Sequence, residues 1–238
     1  MRFHRFYIQT PITEDTFDIT DRDLIHQWRS VFRYNVGSQV ILFDGSGTDY
    51  LCMITSLRNL GATASVIKKT KTADVTQRKN LWLCVALVKK DNFELVVEKA
   101  TELGVNHIVP IICEHSEKRK IKMDRMQKIA IEASEQSGRS NIPQIHEITT
   151  IQDLFQSGVL PQEKIAFHPT GISFKQYINS TNSASFACFI GPEGGFTRSE
   201  IEMAEKSGCI PVSIGHSVLR IETAVVAISA MLLYAYSD

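Results

Sequence analysis

Three short segments toward the C-terminal end hold the residue types that could do chemistry, and each follows an apolar run. His168-Pro169-Thr170-Gly171 comes after residues 164–167, Gly191-Pro192-Glu193-Gly194-Gly195-Phe196 after residues 186–190, and Gly215-His216-Ser217 after residues 210–214. The third segment continues into Val218-Leu219-Arg220-Ile221-Glu222-Thr223-Ala224. In the second, Gly191, Gly194 and Gly195 take side chains away where a backbone must approach a flat ligand or bend sharply. Gly-Pro and Gly-Gly also build ordinary tight turns, so both readings stand on the local sequence. The spacing is not G-x-G-x-x-G, which argues against a Rossmann dinucleotide site. A helix start follows and would favour a phosphate, but no lysine completes such a site. In the third segment Arg220 stands between Leu219 and Ile221, where its charge needs an anion, a carboxylate or solvent. A helix-start salt bridge to Glu222 or Glu193 is the plain account of it, and a role toward bound substrate is the chemical one.

Other familiar chemistries are absent: no Walker A sequence, H-E-x-x-H pair, G-x-S-x-G elbow or zinc-ligand spacing occurs. The five cysteines are scattered and never spaced C-x-x-C, and most sit in apolar runs, where Cys acts as a small hydrophobe. That usage, with no secretory signal in the opening residues, points to a reduced, cytoplasmic protein. The apolar runs 81–88 and 224–235 fall short of the roughly 18 residues a membrane span needs. Net charge is zero, which weighs against a protein that wraps nucleic acid. Its distribution is uneven, however. Lys118, Arg119, Lys120, Lys122, Arg125 and Lys128 crowd one segment, either as a solvated face or as a nucleic-acid footprint, and acidic residues crowd another.

The elements that must position these residues divide in two. Residues 3–8, 40–43, 50–57 and 62–68 read as strands, with Asp44-Gly45-Ser46-Gly47 as a turn and one helix over 21–33. This is a small β-barrel-like domain over 1–70, and the polar stretch 71–80 is a linker. From 81 onward strands (81–88, 107–112, 144–148, 165–168, 186–190, 210–214) alternate with helices, among them 91–104 and 124–137, each closed by glycine. Thr150-x-x-Asp153 suggests another helix start, and Thr197-x-x-Glu200 forms a capping box. Such alternation predicts an α/β domain over 81–238 with a parallel sheet covered on both faces. In open parallel sheets, ligands bind beyond the carboxyl ends of strands, where all three segments fall.

Taken together, Gly191 to Phe196, Glu200-Ile201 and Val218 to Ala224 resemble the signature of the ribosomal RNA small-subunit uridine-N3 methyltransferases (RsmE type) of the SPOUT superfamily. Further matches lie in order upstream: Glu98-Lys99-Ala100-Thr101-Glu102-Leu103-Gly104-Val105, Glu135-Gln136-Ser137-Gly138-Arg139, His168-Pro169 and Phe43-Asp44-Gly45. The resemblance spans nearly the whole chain. Two departures stand out. Residues 26–33 carry one residue more than the family's H-x-x-R-V-L-R, and Gly215-His216-Ser217 stands where Gly-x-Arg is more frequent.

The resemblance implies a SPOUT fold with a C-terminal trefoil knot, a PUA-like RNA-binding domain before it, and a homodimer. It implies S-adenosyl-L-methionine as cofactor, no metal, and N3 of a uridine in 16S (small-subunit) ribosomal RNA as the methyl acceptor. The cofactor would be held by Phe167, His168 and Pro169, by Ile190, Gly191, Pro192, Glu193, Gly194 and Gly195, and by Ile214, Gly215, Ser217, Val218, Leu219, Arg220, Thr223 and Ala224. Arg220 and Glu222 would be catalytic. Arg33, Lys99, Lys118, Arg119, Lys120, Lys122 and Arg139 would contact RNA, alone or in an assembled subunit. The alternatives from other classes are a non-catalytic RNA-binding or ribosome-assembly protein and a nucleotide-dependent enzyme on an ordinary doubly wound sheet. The apolar circumference of the last helix fits dimerisation or complete burial within one subunit.

Overall fold

Val40 and Leu42, Tyr50, Cys52 and Ile54, and Ala62 and Ala64 are buried at alternate positions, the pattern of a sheet with one face in a core. The computed structural model describes residues 3–71, 80–88, 90–116, 120–215 and 217–234. Met1–Ala73 with Ser134–Ile142 form one unit, and Asp74–Ala133 with Pro143–Asp238 form another. The division is therefore not a single cut in the sequence.

The first unit holds β1 (Arg5–Tyr7), β2 (Thr16–Ile19), β3 (Gln39–Phe43), β4 (Thr48–Arg58) and β5 (Gly61–Lys71), in the order β1-β3-β4-β5-β2. The β1–β3 pair is parallel and the others are antiparallel. Strand β2 was not among the strands expected from sequence. Phe6, Trp28, Leu42 and Ile54 centre the core. Helix α1 (Arg22–His26) starts where the Asp21 carboxylate accepts the N–H groups of Asp23 and Leu24 at 2.9 and 3.1 Å. It then widens into a π-helical turn over Gln27–Val31. A π turn takes more residues than an α turn, and within this one Trp28 is fully buried.

Residues 134–142 complete this unit through polar contacts. Arg5 pairs with Asp49, donates to the Arg139 carbonyl at 2.9 Å, and lies over the Phe43 ring at 5.0 Å. The Tyr7 N–H donates to Glu135 Oε1 at 2.8 Å. Arg139 is itself buried, at 6% exposure. This corrects its expected role at RNA, because a guanidinium enclosed in protein cannot reach a phosphate without leaving its packing.

The second unit holds β6 (Asn80–Ala86), α2 (Lys90–Leu103), β7 (His107–Ile112), α3 (Met123–Ser137), whose end belongs to the first unit, and β8 (Gln144–Ile145). It continues with β9 (Thr149–Thr150), α4 (Ile151–Gln156), β10 (Glu163–Ser173), α5 (Phe174–Ser180), β11 (Ser185–Ile190), α6 (Arg198–Lys206), β12 (Cys209–Ser213) and α7 (Ile221–Tyr234). The sheet runs β12-β10-β11-β6-β7-β8, with β9 also on β7, and every pair is parallel. The strand expected over 144–148 is thus two short pieces, and α5 was not anticipated. Central strands are buried almost throughout: β11 leaves only Ser185 partly open, as a parallel strand covered on both faces must. All five cysteines are buried and unbridged. Among the described residues no helix is long and apolar enough to cross a membrane.

Candidate active site

Strand β10 lies between β11 and β12, so three segments distant in sequence end side by side. Phe167 registers with Val212, and so does Ile172, because residues 168–171 leave the ladder between them. That excursion carries His168 and Pro169 out of the sheet. His168 Nδ1 accepts from the Thr170 hydroxyl at 2.8 Å, which fixes the ring. The excursion also needs a glycine. A Cβ on Gly171 would stand 2.4 Å from the Pro211 carbonyl carbon and the Val212 nitrogen, far inside contact distance, so only glycine lets these two backbones come so close.

Beyond β11 the chain makes a tight turn, with the Gly195 N–H donating to the Pro192 carbonyl at 2.8 Å. Gly195 sits at φ +72°, a left-handed conformation that costs other residues about 1–2 kcal/mol. The turn reading and the ligand reading of these glycines are compatible: the turn is real, and it walls a cavity. Thr197 and Glu200 form the capping box of α6. The Glu200 carboxylate is buried and divides its oxygens, one accepting the Thr197 N–H and the other the Glu114 N–H, each at 2.8 Å. It thereby fastens the turn after β7 to the start of α6. Burial, with Glu200 nearby, pushes the Cys113 thiol up to about 12, so this cysteine is neither thiolate nor nucleophile at neutral pH.

Beyond β12, Ser213 folds the third segment back, donating to the Gly215 carbonyl at 3.1 Å and accepting its N–H at 3.3 Å. The first turn of α7 is closed by the Ala224 N–H on the Arg220 carbonyl at 2.8 Å. Phe189 of β11 stacks on Phe155 of α4, 4.7 Å between centroids. Alternation along the strand therefore turns Ile190 to the other face, where it meets Ala224 and Ile228 of α7.

These ends enclose a cavity of about 340 Å³, within the roughly 300–1,000 Å³ of small-molecule sites. Its wall contains Phe167, His168, Pro169, Ile190, Gly191, Pro192, Glu193, Gly194, Gly195, Ile214, Gly215, Ser217, Val218, Leu219 and Ala224. It also contains Phe196, Val212, Ser213 and Ile228, which sequence reasoning missed. Strand alternation signals Val212, and its place one turn beyond Ala224 signals Ile228.

Two expected wall residues, Arg220 and Thr223, are exposed and lie outside it. Arg220 makes no ion pair with Glu193, Glu222 or any other described residue, so the plain salt-bridge account does not hold. Glu222 Oε2 is enclosed and accepts no hydrogen bond from the described residues. His216, Lys118 and Arg119 lie outside the described residues. Arg33, at φ +53°, Lys120 and Lys122 are exposed. Lys99 is engaged with Glu102 and Glu98 at 2.8 Å, and those hydrogen bonds raise its pKa.

The chain matches a family model described as an RNA methyltransferase domain over residues 76–233 and one described as an RNA methyltransferase PUA domain over residues 29–67. The ribosomal RNA small subunit methyltransferase E of Rickettsia conorii is 30% identical over 95% of this chain and 93% of its own length. That of Bacillus subtilis is 30% identical over 88% and 86%. The crystal structure of a ribosomal RNA small subunit methyltransferase E from Neisseria gonorrhoeae bound to S-adenosyl methionine superposes with a TM-score of 0.86 at 26% identity, covering 99% and 98% of the two chains. The likeness runs through both units and includes the strand ends that enclose the cavity, and the chain belongs to the ribosomal RNA small subunit methyltransferase E family.

Proposed function

We propose that this protein is an S-adenosylmethionine-dependent methyltransferase acting on uridine N3 in 16S ribosomal RNA. The observation that carries the reading is the cavity at the joined ends of β10, β11 and β12, in a chain whose structural relative was crystallised with that cofactor. The residues present fit the group. Apolar side chains such as Ile190, Ile214 and Leu219 suit a flat base and ribose, and the turns at Gly191 to Gly195 and at Gly215 offer backbone donors and acceptors with little side chain in the way. When bound, the cofactor supplies an electrophilic methyl group.

The chain's own residues must then prepare the acceptor. N3 of uracil carries a proton that leaves as its lone pair takes the methyl carbon, and negative charge grows on the carbonyl oxygens. Arg220, exposed at the start of α7 and in no ion pair with a carboxylate of the described residues, offers a planar set of donors to those oxygens. Glu222, whose Oε2 is enclosed and accepts no hydrogen bond from the described residues, would accept the proton. Arg33 in the first unit, and Lys120 and Lys122 in the second, would each contact RNA. Lys99 is the weaker candidate, since two carboxylates already occupy it. Lys118 and Arg119 keep their proposed RNA role from sequence alone.

We further propose a cytoplasmic homodimer joined through α7, supported by exposed Val226 and Tyr234 on an otherwise apolar helix. The knot keeps its place in the reading from the resemblance alone. Calorimetry separates the readings: S-adenosylmethionine should bind while ATP and NAD do not. Retention of RNA without methyl transfer would leave a non-catalytic RNA-binding protein instead.

A further inference from the structure

Outside the three strand-end segments, one side chain reaches the cavity wall from behind. His115 lies in the turn after β7, and its Nδ1 is 3.1 Å from the Gly195 carbonyl oxygen. A carbonyl only accepts, so Nδ1 carries the hydrogen. The ring also lies against Gly194, where an added Cβ would meet the His115 Cβ and Nδ1 at 3.2 Å. His115 and Gly194 share a small pocket of about 60 Å³ with Leu87, Val88, Pro192 and Glu193. Pro192, Glu193 and Gly194 wall the larger cavity too, so the imidazole lies directly behind residues of that wall.

The turn that presents His115 is itself fastened. The Ser116 hydroxyl accepts the Cys113 N–H at 2.9 Å, the Ser116 N–H donates to the Cys113 carbonyl at 3.1 Å, and the Glu114 N–H is held by buried Glu200. Because Glu200 also caps α6, both ends of the contact share one anchor. An exposed histidine that only filled space would not need such a mounting.

We infer that His115 is a positioning residue for methyl transfer: its Nδ1–H bond to Gly195 holds the left-handed turn in the shape that grips the cofactor. This rests on the cofactor reading of the cavity. It touches neither the methyl group nor the acceptor base, so its effect falls on cofactor affinity and not on the chemical step.

The test compares wild type with His115→Ala, His115→Phe and His115→Asn, measuring S-adenosylmethionine Kd by calorimetry and the single-turnover rate at saturating cofactor. Phenylalanine keeps a ring against Gly194 but has no donor, whereas the asparagine amide can donate to the Gly195 carbonyl. We expect Kd to rise about three- to tenfold in the Ala and Phe variants, the span of one hydrogen bond. The Asn variant should return to within about twofold of wild type, and the saturated rate should hold throughout. Unchanged Kd in the Ala and Phe variants, or a fall in saturated rate at unchanged Kd, would overturn the inference. So would an Asn variant as weak as Phe. A wild-type protein that binds no S-adenosylmethionine would instead remove the cofactor reading itself.

Discussion

Replacing Gly171 with alanine puts a methyl group where two backbones come close together. The new Cβ would lie 2.4 Å from the Pro211 carbonyl carbon, 2.4 Å from the Val212 nitrogen and 2.5 Å from the Pro211 oxygen. Ordinary carbon contacts begin near 3.5 Å, so the strands must separate locally by about 1 Å. Overpacking costs about 1–3 kcal/mol when side chains can yield. Here every obstacle is main chain in the β10–β12 ladder, and lengthening one ladder hydrogen bond adds about 1 kcal/mol. A loss of about 2–4 kcal/mol follows, which in a chain of this size lowers Tm by roughly 5–15 °C. The excursion over 168–171 is displaced as well, so S-adenosylmethionine binding should weaken along with stability. Gly158→Ala is the comparison. Gly158 has φ +69° with open space around it, so alanine there meets backbone strain alone, about 1 kcal/mol, and leaves the cofactor untouched. Differential scanning calorimetry with and without cofactor reads both effects. A Gly171→Ala protein that melts and binds like wild type would refute the claim that this close approach shapes the site.

Further outcomes follow from other parts of the molecule. Arg220→Ala should slow single-turnover transfer about 10²–10³-fold at saturating cofactor and RNA, and Arg220→Lys should recover only part of it; a wild-type rate would exclude Arg220 from the transition state. Burial and the neighbouring His146 hold His107 down at about 4, and burial lowers His146 as well. The unfolded chain therefore binds more protons between about pH 4 and 6.5. The stability of the second unit should be complete at pH 7 and fall as pH drops through that window, by on the order of 1 kcal/mol after solvent screening of these half-buried rings. Urea melts of His107→Gln should show a flatter pH dependence, and an equal slope would contradict this. Removing the exposed charges of Lys120 and Lys122 should make the salt dependence of RNA binding shallower; an unchanged slope would return them to a solvated face.

The parts of this fold written in local sequence were legible in it. Apolar runs marked most of the strands, and Thr197-x-x-Glu200 marked the start of α6, where the full capping box is present. The three strand-end segments were visible because glycine clusters there interrupt apolar runs. Their convergence was not visible, since it depends on β10 pairing between β11 and β12, a non-local choice. Arg139 shows the complementary failure: an arginine in a polar motif reads as an RNA contact until the fold encloses it near Arg5. His115 carries no local signal either, because its meaning comes from Gly195, far along the chain. The π turn at Gln27–Val31 was likewise not legible, since the sequence there reads as one ordinary helix.

The most direct test of the central claim is nucleoside mapping of small-subunit ribosomal RNA by mass spectrometry, from a strain lacking this gene and from the same strain with it restored. The account predicts that one N3-methyluridine disappears on deletion, returns with the wild-type gene, and does not return with the Arg220→Ala form. Unchanged N3-methyluridine in the deletion strain, or loss of a methyl group from a different base or atom, would contradict it.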